Sequence, residues 1–480
     1  LYSSMPCLCP FQTAPFSSSI SGEEEIKRNP FQGRRLHLLH LTVLSVVHLS
    51  EKSEWKFSDE MDLAERDDSA EMLKGLRVTS LDDENDDHDI GEEPINSDSE
   101  YDEEDEQEPV TLGLLEKPKN GLSLLRHFFP SKAGGVPAWL VPDNLPSGRS
   151  CVCDICGEPL QFLLQVYAPL CDTESTFHRT LYLFMCPSMA CLLKDQHGQW
   201  KQCPEEAARS VKVFRSQLPR YNAFYSSEPP KHDGTDKPFS CGAALCDWCG
   251  TWKGDKVCGN CKTVRYCSEK HQVMHWRSGH KAACQRLNIL PELSNPSCRN
   301  DEIASSKIQK VASKGLWPEF EIINEDESEY DVEIFDDMSS ANALVSLKNH
   351  DMDESMKSLL SSFEGDSDRR SWASFQERIS KAPEQILRYC RNVSMKPLWP
   401  MLSGQPSRAD IPRCSSCGAP RCFELQVLPQ LLYYFGVKND PESLDWATIV
   451  VYACEASCEG SLAYKEEFAW VQLNSSTSMV

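Results

Sequence analysis

The run Cys153-Asp154-Ile155-Cys156-Gly157-Glu158-Pro159-Leu160-Gln161-Phe162-Leu163-Leu164-Gln165-Val166 returns without a gap as Cys414-Ser415-Ser416-Cys417-Gly418-Ala419-Pro420-Arg421-Cys422-Phe423-Glu424-Leu425-Gln426-Val427, with eight of the fourteen positions identical. Each copy opens on a Cys-x2-Cys pair at metal-ligand spacing and continues into a run with strand-like alternation. A second strand-like run follows in both copies, Thr180 to Met185 and Thr448 to Ala453, and each leads into another cysteine pair, Cys186 with Cys191 and Cys454 with Cys458. If the two strands of a copy pair antiparallel, the knuckle before the first lands beside the cysteines after the second. The arrangement is that of a zinc ribbon. It predicts one zinc site from Cys153, Cys156, Cys186 and Cys191 and another from Cys414, Cys417, Cys454 and Cys458. Cys422 falls opposite Gln161 and is not expected to be a ligand; Cys151, Cys171 and Cys203 lack partners at ligand spacing. One such unit leaves an apolar face uncovered, so the copies are expected to face each other as pseudo-symmetric halves of one domain.

Between the copies lies a denser cluster: Cys246-x2-Cys249, Cys258-x2-Cys261, Cys267-x3-His271 and His280-x3-Cys284, all within 39 residues. Eight sulfur or imidazole donors in four close pairs suit two tetrahedral zinc ions, each closed by four protein ligands. The metal replaces the core that so short a segment cannot build. Spacing alone leaves sequential and interleaved pairing open. His275, one helical turn beyond His271, is a rival ligand by its i,i+4 position.

A chain of 480 residues has room for roughly two to four domains. Its formal charge of −24 argues against a nucleic-acid footprint and favours a basic partner or simple solubility. Most of the 23 cysteines fall in ligand-spaced pairs, which points to metal sites in a reducing compartment, nucleus or cytosol, rather than to disulfides. No P-loop, HExxH or GxSxG motif is present, and closed zinc sites lack the open position that catalysis needs, so an enzyme is not expected. The finger segment is locally basic but carries no recognition helix of the usual DNA-binding type. The apolar run Leu36 to Leu49, which follows Arg34-Arg35, is too short to span a bilayer.

The expected organisation is α+β and β-rich: a pseudo-duplicated zinc-ribbon-like β domain with a small zinc finger inserted and disordered acidic segments. Residues 1–109 read as a non-native extension plus an acidic tail, with Met61 a plausible start. Within that tail, residues 82–108 hold sixteen acids and no Lys or Arg, a composition that cannot order itself. Residues 110–228 form the first half, 241–286 the finger, 287–370 an acidic flexible linker and 371–475 the second half. Trp317 to Ile323, inside the linker, alternates like an edge strand.

The finger segment resembles a MYND zinc finger. The resemblance rests on Tyr266-Cys267-Ser268, His271-Gln272, Trp276, His280-Lys281 and Cys284, with His271 where most such fingers have cysteine. It implies interleaved pairing, Cys246, Cys249, Cys267 and His271 on one ion, Cys258, Cys261, His280 and Cys284 on the other. It also implies a groove for proline-rich peptides that includes Gln272 and Trp276.

The whole order resembles the programmed cell death protein 2 family. The residues that carry it include Gly134-Gly135-Val136-Pro137-Ala138-Trp139-Leu140, Phe177-His178-Arg179-Thr180, Leu218-Pro219-Arg220-Tyr221-Asn222, Trp317-Pro318-Glu319-Phe320-Glu321 and Gly404 to Pro412. That resemblance implies a dedicated chaperone of ribosome biogenesis, which escorts a newly made small-subunit ribosomal protein from the cytoplasm toward the nucleus. A basic client suits an acidic partner. The expected client site is the groove between the halves, with Trp139, Trp399 and exposed ribbon edges as contacts. The rival expectation is an adaptor whose finger recruits proline-rich corepressor or signalling partners.

Overall fold

The computed structural model describes residues 110–118, 122–170, 172–200, 208–231, 242–289, 316–330, 367–438, 440 and 442–473. The expectations for residues 1–109, including the acidic block, and for most of the 287–370 linker lie outside them.

In chain order the strands are β1 (Thr111–Glu116), β2 (Lys132–Ala133), β3 (Gln161–Tyr167), β4 (His178–Met185), β5 (Val211–Leu218), the finger hairpin β6 (Lys256–Val257) and β7 (Arg265–Tyr266), β8 (Phe320–Asp326), β9 (Leu387–Tyr389), β10 (Arg421–Val427), β11 (Thr448–Cys454) and β12 (Lys465–Gln472). The helices are α1 (Met189–Trp200), α2 (Glu269–His275), α3 (Lys281–Ile289), α4 (Ser367–Lys381) and α5 (Gln430–Tyr434). Ten strands close into one antiparallel barrel in the order β1-β8-β2-β3-β4-β5-β12-β11-β10-β9, with β9 returning to β1.

This topology corrects the expected arrangement of the halves. They do not face each other as two ribbons across a groove; they are adjoining sectors of one closed sheet, joined where β5 pairs with β12 and β1 with β9. Closure removes the open edges that a pair of ribbons would present. β8, expected at an edge, lies between β1 and β2. The barrel interior is packed: Leu181, Leu183, Met185, Val211 and Val213 of the first half meet Leu425, Val427, Ile449, Val451 and Val471 of the second in one apolar cluster.

The alternation in β3 misled in one respect. Its central residues are buried on both faces, because a second cluster covers the outside of β3, β4 and β5 with Phe162, Tyr182, Phe184 and Phe214 against the finger. The outward residues of β10, β11 and β12 (Phe423, Val450, Tyr452 and Trp470) form a third cluster, packed against Trp399 and Ile411. Strands β3 and β10 each break register at the same place in the repeat, between Phe162 and Leu164 and between Phe423 and Leu425. The extra residue is Leu163 in one and Glu424 in the other.

The approach of Gly134 to Pro318 explains one glycine of the Gly134-Gly135 pair. Its backbone is left-handed (φ 67°), and a Cβ there would sit 1.9 Å from the Pro318 carbonyl oxygen. No L side chain fits both conditions.

Candidate metal centres and the free face of the finger

Four knuckles share one local design. In each, the residue after the second cysteine is left-handed and its N–H donates to the first cysteine's carbonyl: Gly157 to Cys153, Gly250 to Cys246 and Gly418 to Cys414 at 2.8 Å, Lys262 to Cys258 at 2.9 Å. The first cysteine's own N–H donates forward, from Cys153 to Glu158 O at 2.8 Å and from Cys414 to Ala419 O at 2.9 Å. These turns hold two sulfurs on one side of the loop before any metal arrives.

Strand pairing supplies the remaining ligands. β3 pairs antiparallel with β4, Gln161 opposite Met185, which sets the Cys153 knuckle beside Cys186 and Cys191. β10 and β11 do the same for Cys414, Cys417, Cys454 and Cys458, Arg421 standing opposite Cys454. In the finger, Ser268 caps α2 by accepting from His271 N–H at 3.1 Å, which fixes His271 one turn after Cys267. Gly279 (φ 130°) breaks the helical path before α3 and lets His280 and Cys284 reach the second centre.

The four groups are Cys153, Cys156, Cys186 and Cys191; Cys246, Cys249, Cys267 and His271; Cys258, Cys261, His280 and Cys284; and Cys414, Cys417, Cys454 and Cys458. Within each, all donor atoms lie within 4.8 Å of one another. The finger pairs interleave. None of these cysteines is in a disulfide. Sulfurs about 2.3 Å from a tetrahedral zinc stand about 3.8 Å apart. Cys156 and Cys186 are 3.7 Å apart, Cys249 and Cys267 3.8 Å, Cys258 and Cys284 3.7 Å, Cys414 and Cys458 3.7 Å, and Cys417 and Cys454 3.6 Å. His271 presents Nδ1 at 3.7 Å from Cys246 Sγ, whereas His280 presents Nε2 at 3.7 Å from Cys261 Sγ. Burial pushes the Cys153 thiol up to about 11, and those of Cys249 and Cys454 up to about 12. The donor sets and their spacing fit zinc.

Other candidates separate cleanly. His275 does not join a centre; its Nδ1 meets the Tyr266 hydroxyl at 3.2 Å and its ring stacks on His280. Cys151 is buried, with its thiol pushed up to about 12 by burial and donated to Pro146 O at 3.0 Å. Cys422 is buried beside Ala453 O, clear of the fourth group. Cys171 and Cys203 lie outside the described residues.

The finger docks on the barrel through its first-centre end. Trp252 is 1% exposed; its Nε1 donates to Leu160 O at 2.8 Å and its ring lies 4.5 Å from Phe184. Trp139 Nε1 donates back to Thr251 O at 2.9 Å, and Lys270 pairs with Glu158 at 2.7 Å. Trp139 is thus buried between barrel and finger, which removes it as a client contact; Trp399 is half-buried against the third cluster. Other residues of α2 and of the turn after it stay uncovered. Val273, Met274 and Trp276 are exposed beside Gln272, Trp276 at 38%. Sequence reasoning missed Trp252 as a docking residue, and it missed Asn260, whose Nδ2 donates to Cys284 Sγ at 3.1 Å. Asn260 lies inside the Cys258–Cys261 pair and could have been found there.

Comparison with known proteins agrees with this anatomy. The family model for the N-terminal domain of programmed cell death protein 2 matches residues 109–232, the model for its C-terminal domain matches 369–473, and the MYND finger model matches 246–284. The chain is 36% identical to programmed cell death protein 2 of Bos taurus, over 76% of this chain and 96% of that protein. Against the Mus musculus protein the identity is 38% with the same coverage. Against the human programmed cell death protein 2-like it is 30%, over 73% of this chain and 91% of that protein. No solved structure matches significantly. With both terminal domains and the finger matched in order, the chain belongs to the programmed cell death protein 2 family.

Proposed function

We propose that this chain is a zinc-stabilised chaperone, which escorts a newly made, basic small-subunit ribosomal protein during ribosome biogenesis and moves between cytoplasm and nucleus. The observation that carries the reading is how charge is divided. The described residues hold 31 Lys and Arg against 29 Asp and Glu, so the folded body is close to neutral. The chain's charge of −24 therefore belongs to the remaining residues, above all to 82–108. A tethered polyanion attracts a cationic client and suppresses its wrong contacts. The packed barrel interior leaves no room for the client between the halves, so binding falls to the outer surface and the acidic segment.

The chain acts by binding rather than catalysis in this reading. Four protein donors at each centre leave no coordination position for a substrate. The matched bulges in β3 and β10 support reading the two halves as products of a duplication.

Affinity purification of the full chain from dividing cells, with nascent chains identified, tests the proposal. Enrichment of one basic small-subunit ribosomal protein at near-equal amounts is expected. A purification that returns none sinks it. A second reading, the adaptor for proline-rich peptides, is favoured by the exposed Val273 and Met274 on α2 and the exposed Trp276 just after it. Trp276→Ala should then abolish proline-rich partners and spare the ribosomal client; retention of both sets of partners removes the adaptor.

A further inference from the structure

Arg215 and Lys465 stand directly opposite each other in the pairing of β5 with β12, the seam between the two halves. Both are buried, at 1% and 6% exposure. Like charges directly opposite on paired strands repel, and buried cations are costly unless anions face them. Glu467 accepts from Arg215 Nε at 2.7 Å, but it also accepts from Arg421 Nε at 3.0 Å. Arg215, Arg421 and Lys465 thus bring three cations to the seam, and Glu467, the carboxylate bonded there, takes two of them.

The remaining partner is sulfur. Arg215 Nη2 lies 3.7 Å and Lys465 Nζ 3.5 Å from Cys458 Sγ. Arg215 Nη1 also donates to Cys458 O at 3.3 Å, and Lys465 Nζ donates to the same carbonyl. Gln217, likewise on β5, accepts from Arg215 Nη1 and donates to Ser457 O at 3.0 Å. So Arg215 and Gln217 of the N-terminal half grip the Ser457–Cys458 turn, which carries a ligand of the C-terminal centre. A neutral thiol is a weak acceptor for two cations. Four thiolates around one zinc carry two net negative charges, which match the two cations left over. Among the described residues no Lys or Arg is placed on a sulfur of the N-terminal centre in this way. Its neighbour Lys212 is committed to Asp154 at 3.0 Å and Arg149 O at 2.8 Å.

We infer that the C-terminal zinc centre is the latch of the barrel: its thiolates are the counter-charge for Arg215 and Lys465, so that loading zinc there and closing the β5–β12 seam are one coupled event. Arg215 is the positioning residue that ties a metal held by the second half to the first. Coupling of this kind is reciprocal, so losing the cations loosens the metal and losing the metal opens the seam.

The test uses the full zinc-loaded chain with a chromophoric chelator. Differential alkylation identifies which cysteines are released, and hydrogen exchange reads the seam. In Lys465→Met, which keeps the buried stem and removes the charge, the zinc held by Cys414, Cys417, Cys454 and Cys458 should leave about 10–100-fold faster. The other three should keep their rates. Arg215→Met combined with Glu467→Gln should act in the same way. In the parent chain, residues 211–218 and 465–472 should lose protection in step with alkylation of Cys454 and Cys458. Unchanged release from Lys465→Met, or a seam that stays protected after those cysteines are alkylated, overturns the coupling. Should the double variant not fold, Lys465→Met and the parent-chain exchange experiment still decide the matter.

Discussion

Arg179 on β4 and Glu424 on β10 form a bidentate ion pair with no solvent exposure, and it joins the first half of the barrel to the second through the interior. Glu424 is the extra residue of the β10 bulge, and Arg391 Nη1 donates to it as well, at 2.7 Å. Leu163 fills the matching place in β3. The repeat is therefore broken chemically where the two halves must recognise each other. Burial alone would push the Glu424 carboxyl up; Arg179 and Arg391 reverse this and hold it below the usual carboxylate range.

Removing one partner strands the other charge. Glu424→Gln or Arg179→Met should each cost about 3–5 kcal/mol in urea unfolding at neutral pH with zinc in excess. The double variant Arg179→Met with Glu424→Leu should recover part of that loss, since an apolar replacement of a buried pair is often neutral, but not all of it, because Arg391 loses the same carboxylate. Because the folded carboxyl titrates below the unfolded one, the pair's stabilisation is complete above the unfolded value. It fades as pH falls through the folded one. Stability that is insensitive to all three variants would show that the pair does not join the halves.

The finger should behave as part of the domain core. Trp252→Ala removes a buried indole and leaves the Leu160 carbonyl without its donor, at a cost of about 3–5 kcal/mol. Trp252→Phe keeps the ring and loses the N–H, at about 1–3 kcal/mol. Thermal unfolding at saturating zinc, with proteolysis of residues 242–289 as a second readout, should rank the variants in that order. A finger that is cleaved no faster in Trp252→Ala would mean that docking does not depend on this residue.

What could be read from the sequence was local. The sixteen metal donors lie at fixed short spacings, and a knuckle's turn is set by adjacent residues, so the pairs and their strands showed in the string of letters. The closed barrel did not. Its closure depends on β8, separated by the finger from β1 and β2, and on the three-residue β9, which carries almost no periodic signal. Alternation in β3 implied a solvent face because nothing nearby in sequence announces Trp252 as the side chain that covers it. Arg215 and Lys465 read as ordinary strand residues until the register places them opposite each other.

Lys262 occupies the knuckle position that the other three turns give to glycine, with φ 57°. An L side chain there costs roughly 1–2 kcal/mol, and glycine's extra unfolded-state entropy returns roughly 0.5–1 of it. Lys262→Gly should therefore stabilise the finger by on the order of 0.5–1 kcal/mol, read as slower zinc loss from Cys258, Cys261, His280 and Cys284. Gly157→Ala and Gly418→Ala, at φ 72° and 74°, should move the other way. Faster loss from Lys262→Gly would mean that the lysine side chain stabilises the centre more than its backbone strains it.

Metal removal should separate the centres by what each one holds. Elemental analysis of the full chain should give four zinc ions, because each donor set is complete in itself. Cys153→Ser strikes the centre beneath the docked finger, where Cys153 shares a cluster with Trp139, Phe184 and Trp252. Cys414→Ser strikes the centre gripped by Arg215 and Lys465. A structural zinc contributes on the order of 10 kcal/mol, about the whole stability of an ordinary domain, so either substitution should unfold the barrel. Cys267→Ser acts only on the finger's first centre, and it should free the finger while leaving strands β8 to β12 protected in hydrogen exchange. If Cys153→Ser or Cys414→Ser melts like the parent and keeps four zinc ions, that cysteine is not a ligand.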